Sequence, residues 1–176
     1  MTVNQRKPGP ERLAIEERIA GIRLIVFDFD GVFTDNRVLV GDDGSEYVLC
    51  NRADGLGLEN LRRHGIECLV LSRETNPVVA KRCEKLKLDY IQGCADKWET
   101  LRKILGTKKI DPSQAGYVGN DINDLACMEN VGLAFSVVDA YPEVKSAAHY
   151  VTLRGGGQGA VREICDLIVR ARKKDC

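Results

Sequence analysis

Apolar positions along this chain come in short unbroken runs separated by stretches in which they recur every three to four residues. The cleanest run is Leu24-Ile25-Val26-Phe27, which ends on Asp28-Phe29-Asp30-Gly31. A continuous apolar run of strand length, stopped by a polar turn, marks a strand buried on both faces of a parallel sheet. Residues 67–72, 90–92, 115–118 and 133–137 repeat the signature. Between them the period becomes helical over 56–64, 77–86, 96–105, from the Gly119-Asn120-Asp121 turn to about 130, and over 142–147 and 159–173. Gly65 and Gly106 stop two of these helices, and Pro77 sits in the first turn of a third. Residues 37–40 and 46–49 flank Gly41-Asp42-Asp43-Gly44 and predict a hairpin. Residues 51–55 read as a polar loop and 11–20 as a short polar helix. Strands alternating with helices of about ten residues predict βαβ units and an α/β fold. The boundaries are a disordered tail over 1–12 and one domain over 13–173.

Composition narrows the function classes. With 176 residues the chain is long enough for a full core, and 44% hydrophobic with 30% charged residues is ordinary for a soluble protein. Lys plus Arg equals Asp plus Glu, 26 against 26, so no net field draws nucleic acid or an anionic membrane. No apolar run approaches a membrane span, and the polar N-terminus lacks a signal-peptide core. Seven scattered cysteines without a C-x-x-C pair point to reduced thiols and a cytoplasmic setting rather than to a disulfide framework or a zinc site. His64 and His149 show no partner spacing and read as surface or loop residues.

The chemistry collects at strand ends, where open α/β sheets bind their ligands. Side chains alternate along an extended chain, so Asp28 and Asp30 can face the same side. Two such carboxylates repel, and a bound cation with a taste for oxygen, Mg²⁺, would relieve them. One carboxylate could then attack and the other handle protons. Ser72 ends the second strand with a hydroxyl able to donate to a phosphoryl oxygen. Lys97 opens a helix near the same edge, and Gly119-Asn120-Asp121-Ile122-Asn123-Asp124 offers further oxygen ligands. Taken singly, each of these reads more readily as a turn, a cap or a solvated charge. Four of them, each after its own strand, form a pattern.

That pattern resembles the four motifs of haloacid dehalogenase superfamily phosphatases: Asp28-Phe29-Asp30-Gly31-Val32, Ser72, Lys97 and Gly119 to Asp124. The likeness extends to the capless branch acting on 3-deoxy-2-ulosonic acid phosphates. Residues 51–55 resemble that branch's substrate loop, with Asn51, Asp54 and Gly55 as contacts. Tyr117-Val118-Gly119, Val131-Gly132-Leu133, Tyr150-Val151-Thr152 and the run from Gly155 to Glu163 complete it. The resemblance implies a Rossmann-like parallel sheet with helices on both faces, a small hairpin insertion and no cap domain. It implies Asp28 as nucleophile, Asp30 as acid and base, and Ser72 and Lys97 on the phosphoryl oxygens. Mg²⁺ would be held by Asp28, the main-chain carbonyl of Asp30, and Asn120 or Asp121, the choice between these two staying open. A homotetramer in which the hairpin and a neighbouring subunit roof the site is implied as well.

Two positions depart from the eight-carbon members of that branch. Their second motif reads Thr-Gly-Arg, whereas this chain has Ser72-Arg73-Glu74. A glutamate in place of a carboxylate-binding arginine repels an acid placed there. The nine-carbon branch is similar at this point, with Glu74 and the basic Arg82 and Lys85 as its substrate contacts. The second departure is Asn120, a neutral ligand where aspartate is usual. The expectation is therefore a Mg²⁺-dependent phosphatase for a phosphorylated acidic sugar, a nine-carbon nonulosonate 9-phosphate first. The alternative is 3-deoxy-D-manno-octulosonate 8-phosphate. From another class comes a tetramerisation module like that fused to acylneuraminate cytidylyltransferases. The glycine-rich run before the last helix reads as a mobile loop at the site entrance, with Arg162 reaching toward substrate.

Overall fold

Leu24, Ile25, Val26 and Phe27 have no solvent exposure, and the reason is their place in the sheet. They form β1 (Leu24–Phe27), the strand with a neighbour on each side and helices above and below. In the computed structural model, which describes residue 15 and residues 17–173, six parallel strands run in the order β5-β4-β1-β6-β7-β8. The others are β4 (Glu67–Leu71), β5 (Asp89–Ile91), β6 (Ala115–Gly119), β7 (Leu133–Ser136) and β8 (Tyr150–Val151). Leu24 pairs with Glu67 on one side and Ala115 on the other. The chain winds outward from β1 in one direction and then returns to wind in the other. The crevice between β1 and β6 is therefore the topological switch point, where open sheets bind ligands.

The helices are α1 (Ala53–Arg63), α2 (Val78–Leu86), α3 (Lys97–Lys108), α4 (Leu125–Asn130), α5 (Pro142–Ala147) and α6 (Ala160–Arg172). Five of them fall into two packed groups, α1 with α6 and α3 with α4 and α5, while α2 packs on β5. Between β1 and α1 the insertion is the antiparallel pair β2 (Leu39–Val40) and β3 (Glu46–Tyr47), and among the described residues there is no cap domain. No described helix is long and apolar enough to cross a membrane. The expected tail over 1–12 lies outside the described residues, as does half of the 11–20 helix; residues 15 and 17–20 are helical, and Ile19 is buried in the core. Five cysteines are buried and Cys50 is half-buried, all six unbridged; Cys176 lies outside the described residues.

Two expectations on element boundaries need correction, and one strand was not predicted. The helix expected from residue 56 begins at Ala53, which moves Asp54 and Gly55 from a loop into its first turn. The helix expected to close at Gly106 runs on to Lys108 and stops only where Lys109 turns left-handed (φ 53°). β8 has two half-buried residues, too few to show a period.

Asp54 explains how α6 starts. That helix is preceded by Gly159, which offers no capping side chain. The Arg162 N–H in its first turn donates instead to Asp54 Oδ1 at 3.1 Å, across 108 residues of sequence. Asp54 is fully buried and its Oδ2 has no partner. Burial pushes its pKa up to about 6, against the pull of the Arg162 N–H and of Arg82, Arg154 and Arg162.

A raised folded-state pKa means that the folded protein prefers the protonated acid. Its contribution to stability is present below about pH 4 and lost as pH rises through about 6. Asp54→Asn keeps the acceptor for Arg162 and removes the titration. Relative to this variant, the wild type should lose on the order of 3 kcal/mol between pH 4 and pH 7, at 1.36 kcal/mol per pKa unit. Urea unfolding of both proteins across that range measures the difference, and a gap that stays constant with pH would contradict this account of Asp54.

Candidate active site

β1 delivers Asp28 to the switch point, and its ladder runs one residue further: the Asp28 N–H donates to Val118 O at 2.9 Å. The chain then turns sharply. Phe29 drops into the core and stacks on Phe33 at 5.7 Å, while Gly31 N–H and Asn36 N–H both donate to Thr34 Oγ1. The turn returns Asp30 to the cavity side, so Asp28 and Asp30 line the same opening of about 360 Å³. Gly31 is required here: its φ is +79°, and a Cβ would lie 1.9 Å from Asn120 Nδ2.

The centre of the site is an ion-paired trio. Lys97 Nζ lies 2.8 Å from Asp28 Oδ1 and 2.7 Å from Asp124 Oδ1, and all three side chains are buried. Lys97 is the first residue of α3, whose Asp96 cap accepts from the Glu99 N–H. A cation at the positive end of a helix runs against the local dipole preference, and here two carboxylates override it. Asp124 is fully engaged. Its Oδ1 also accepts from Tyr117 OH at 2.8 Å, and its Oδ2 accepts from the Asn120 and Asp121 N–H groups. Asp28 Oδ1 accepts from the Phe29 N–H at 2.7 Å, which leaves Oδ2 free toward the cavity.

Burial, and after it the Asp124 charge, push Asp28 up to about 7, with Lys97 pulling the other way. Asp30 is half-buried and raised too, by burial first and then by Glu74, with Glu46 adding to the effect. Lys97 is held above its ordinary value because the attraction of Asp28 and Asp124 outweighs its burial. A partly buried acid beside a buried carboxylate suits a proton donor and a nucleophile.

The donor set fits a hard cation. Asn120 Oδ1 is buried with no hydrogen-bond partner, a costly state for an amide oxygen unless a ligand engages it. Carboxylate, amide and main-chain oxygens are what Mg²⁺ takes. Asp121 turns its Oδ1 back to the Ile122 N–H at 2.6 Å as the cap of the following turn, so Asn120 is the better-placed of the two.

The structure brings together Asp28, Asp30, Ser72, Glu74, Lys97, Asn120 and Asp121 around one cavity. Ser72 Oγ accepts from the Glu74 N–H at 3.0 Å, leaving its hydroxyl proton to donate. Glu74 Oε1 accepts from the Thr75 and Asn76 N–H groups at 2.6 and 2.8 Å, so half of its carboxylate serves its own turn. The remaining expected contacts lie elsewhere. Asn51 Oδ1 accepts from the Ala53 N–H at the start of α1, and its carbonyl accepts from Arg82 Nη2 at 2.7 Å. Gly55 is on α1, and Asp54 faces α6. Arg82 and Lys85 border a separate groove of about 680 Å³ under the hairpin.

The glycine-rich run also needs correction. Gly155, Gly156 and Gly159 are buried, and the run packs behind the 31–35 turn: Gly157 N–H donates to Val32 O, and Gly156 N–H to Asp139 Oδ1. Arg162 pairs with Asp166 at 2.9 Å and points away from the cavity. Sequence reasoning missed Tyr117 as a partner of Asp124, and missed Asn36, Arg73 and Thr75 as cavity residues. For Arg73 and Thr75 the adjacency to Ser72 was an available signal.

A family model described as haloacid dehalogenase-like hydrolase matches residues 72–164. The 3-deoxy-D-manno-octulosonate 8-phosphate phosphatase of Yersinia pestis is 36% identical over 167 residues, 94% of this chain and 89% of that protein. Among solved structures, the same-named phosphatase of Moraxella catarrhalis, in complex with magnesium, phosphate and KDO, superposes with a TM-score of 0.88. It is 30% identical, over 91% of this chain and 92% of that one. A Streptomyces avermitilis protein described as a HAD family hydrolase superposes with a TM-score of 0.83 at 45% identity, over 85% and 86%.

The glycine packing can be tested on stability alone. A Cβ on residue 156 would lie 2.0 Å from Gly31 O and 2.5 Å from Thr34 O, backbone atoms with nowhere to go. Gly156→Ala should destabilise the fold by about 1–3 kcal/mol, the usual cost of overpacking, read by urea denaturation. An unshifted unfolding midpoint would mean that the glycine run does not support the 31–35 turn.

Proposed function

The chain belongs to the haloacid dehalogenase-like hydrolases and is a phosphoric monoester hydrolase, and from that premise we propose that it dephosphorylates a 3-deoxy-2-ulosonic acid phosphate, with 3-deoxy-D-manno-octulosonate 8-phosphate first. The reaction rests on one observation: a buried carboxylate, Asp28, with one oxygen fixed by Lys97 and a main-chain N–H and the other facing a cavity. The substrate rests on the relatives, which are named for the eight-carbon acid. This reverses the order expected from Glu74, whose argument for nine carbons weakens once Oε1 is engaged in its own turn.

In this reading Asp28 Oδ2 attacks phosphorus, the ester P–O bond breaks, and Asp30 gives its proton to the departing sugar oxygen. A water then attacks the aspartyl phosphate, Asp30 takes its proton, and inorganic phosphate leaves with Asp28 restored. Ser72 donates to a phosphoryl oxygen. Lys97 holds Asp28 in line and balances its charge, and positioning with charge balance is most of what phosphoryl transfer asks. Asp28, the Asp30 carbonyl and Asn120, with Asp121 beside it, would hold Mg²⁺, which supplies positive charge against the phosphoryl oxygens.

The nine-carbon reading keeps one argument, the free Glu74 Oε2 at the cavity wall. The non-catalytic reading has against it the retained Asp28, Asp30, Ser72 and Lys97. We further propose a homotetramer. Leu39, Tyr47 and Leu49 on the hairpin are 71%, 61% and 77% exposed, an apolar surface of the kind that partners cover. Light scattering that finds an active monomer would refute it.

Phosphate release should be fastest on 3-deoxy-D-manno-octulosonate 8-phosphate in a panel with ketodeoxynononate 9-phosphate and N-acetylneuraminate 9-phosphate, and should stop when EDTA removes the metal. Asp28→Asn should drop kcat more than about a hundredfold, a loss above roughly 2.7 kcal/mol, with the fold intact by circular dichroism. Substantial turnover by that variant would exclude the covalent route, and a faster nine-carbon ester would restore the other substrate.

A further inference from the structure

The substrate class proposed above carries negative charge at two ends, a phosphate ester and a carboxylate, and the cavity is itself acidic. Asp28, Asp30, Glu74 and Asp121 line it, against Lys97 and Arg73. Lys97 is 3% exposed and bound to two carboxylates, so it serves the phosphoryl end and has no reach toward a second anion. Arg82 and Lys85 face a different groove, and Arg82 is bonded to Asn51 O. That leaves one cation at the cavity without an assignment.

Arg73 sits directly after Ser72 on the turn that leaves β4. The main chain around it is fixed: Ser72 N–H donates to Ile91 O, Cys94 N–H to Ser72 O, and Gly93 N–H to Glu74 O, at 2.9, 2.9 and 2.8 Å. The side chain, by contrast, is exposed and has no hydrogen bond or ion pair among the described residues. The adjacent Glu74 forms no ion pair with it, and Oε1 of that residue is held by the Thr75 and Asn76 N–H groups. A guanidinium on a rigid stem, free at the mouth of an acidic cavity, matches a carboxylate in a two-point fork.

We propose that Arg73 binds the substrate carboxylate and sets the preference for acidic over neutral sugar phosphates. This rests on the proposed substrate class, and Arg73 stands one residue before Glu74 on the same turn at the cavity wall.

The test compares kcat/KM on 3-deoxy-D-manno-octulosonate 8-phosphate with that on D-arabinose 5-phosphate, a phosphomonoester without a carboxylate. The wild-type enzyme, Arg73→Lys and Arg73→Ala are measured with saturating Mg²⁺. The ratio between the substrates should fall ten- to a hundredfold in Arg73→Ala, the size of one lost charge-assisted pair. Most of the change should lie in KM for the acid, and Arg73→Lys should recover part of it. A wild-type preference that survives in Arg73→Ala overturns the role of Arg73 while leaving the substrate class standing. Equal losses on both substrates also overturn it, since Arg73 would then serve the phosphoryl end or the turn. A wild type with no preference for the acid overturns the substrate class and this role together.

Discussion

Lys97 carries its ammonium between two buried carboxylates, Asp28 at 2.8 Å and Asp124 at 2.7 Å, and the rest of the site is arranged to make that arrangement tolerable. Burying charge costs several kcal/mol per ion, recovered only when every partner is in place, and removing one member of a buried set is strongly destabilising. Here the set is satisfied almost to the last lone pair. Tyr117 OH and the Asn120 and Asp121 N–H groups complete Asp124, and the Phe29 N–H shares Asp28 Oδ1 with Lys97. Two acids and one ammonium still leave a net negative charge in a low-dielectric pocket. Asp28 responds with a pKa near 7, and Asn120 Oδ1 waits unpartnered beside it. Both features call for a further cation at the same spot.

The fold supplies these partners from four separate stretches of chain. β1 ends in Asp28, β6 ends at the turn that carries Asn120 and Asp124, and α3 begins with Lys97, the three meeting where the strand order reverses. β4 adds Ser72. From behind, the glycine run lies so close to the 31–35 turn that side chains are excluded, and Asp139 fixes its Gly156 N–H. Asp54 in turn fixes the start of the helix that follows. A nucleophile is thereby held by backbone packed on backbone, which has little freedom to drift from the productive geometry.

Much of this was legible in the residues, and what was not has a common cause. The β1 run, the alternation of Asp28 and Asp30, and the strand-end positions of Ser72, Lys97 and Asn120 follow from local pattern plus the rule that parallel sheets bind ligands at their carboxyl edge. Tyr117 was not legible as a partner of Asp124, because an inward residue of a buried strand looks like core until the neighbouring turn is placed. Asp54 and Gly55 were misassigned for a related reason. Asn51-Arg52-Ala53-Asp54-Gly55 is polar enough to be a loop, and only the packing of α1 on α6 draws its second half into a helix. The glycine-rich run at 155–159 suggested freedom by composition, whereas another backbone lies directly against Gly156 and Gly157.

The same division explains why the reaction is easier to assign than the sugar. Groups that handle phosphorus are buried, fixed by several bonds each and spaced by the sheet, so their identity constrains their role. Groups that would meet the rest of the substrate sit on the rim: Arg73 and Asn36 are exposed, Glu74 is half-buried, and the hairpin above them presents Leu39 and Leu49 to solvent. A rim residue acquires a partner only when substrate or another subunit arrives. Glu74 shows how misleading such a residue can be when considered alone. Its carboxylate was expected to select a sugar, yet half of it holds the Ser72 turn in shape, while the arginine one position earlier remains free. At the rim, specificity depends on which side chains the backbone has left unengaged, and only the folded turn displays that.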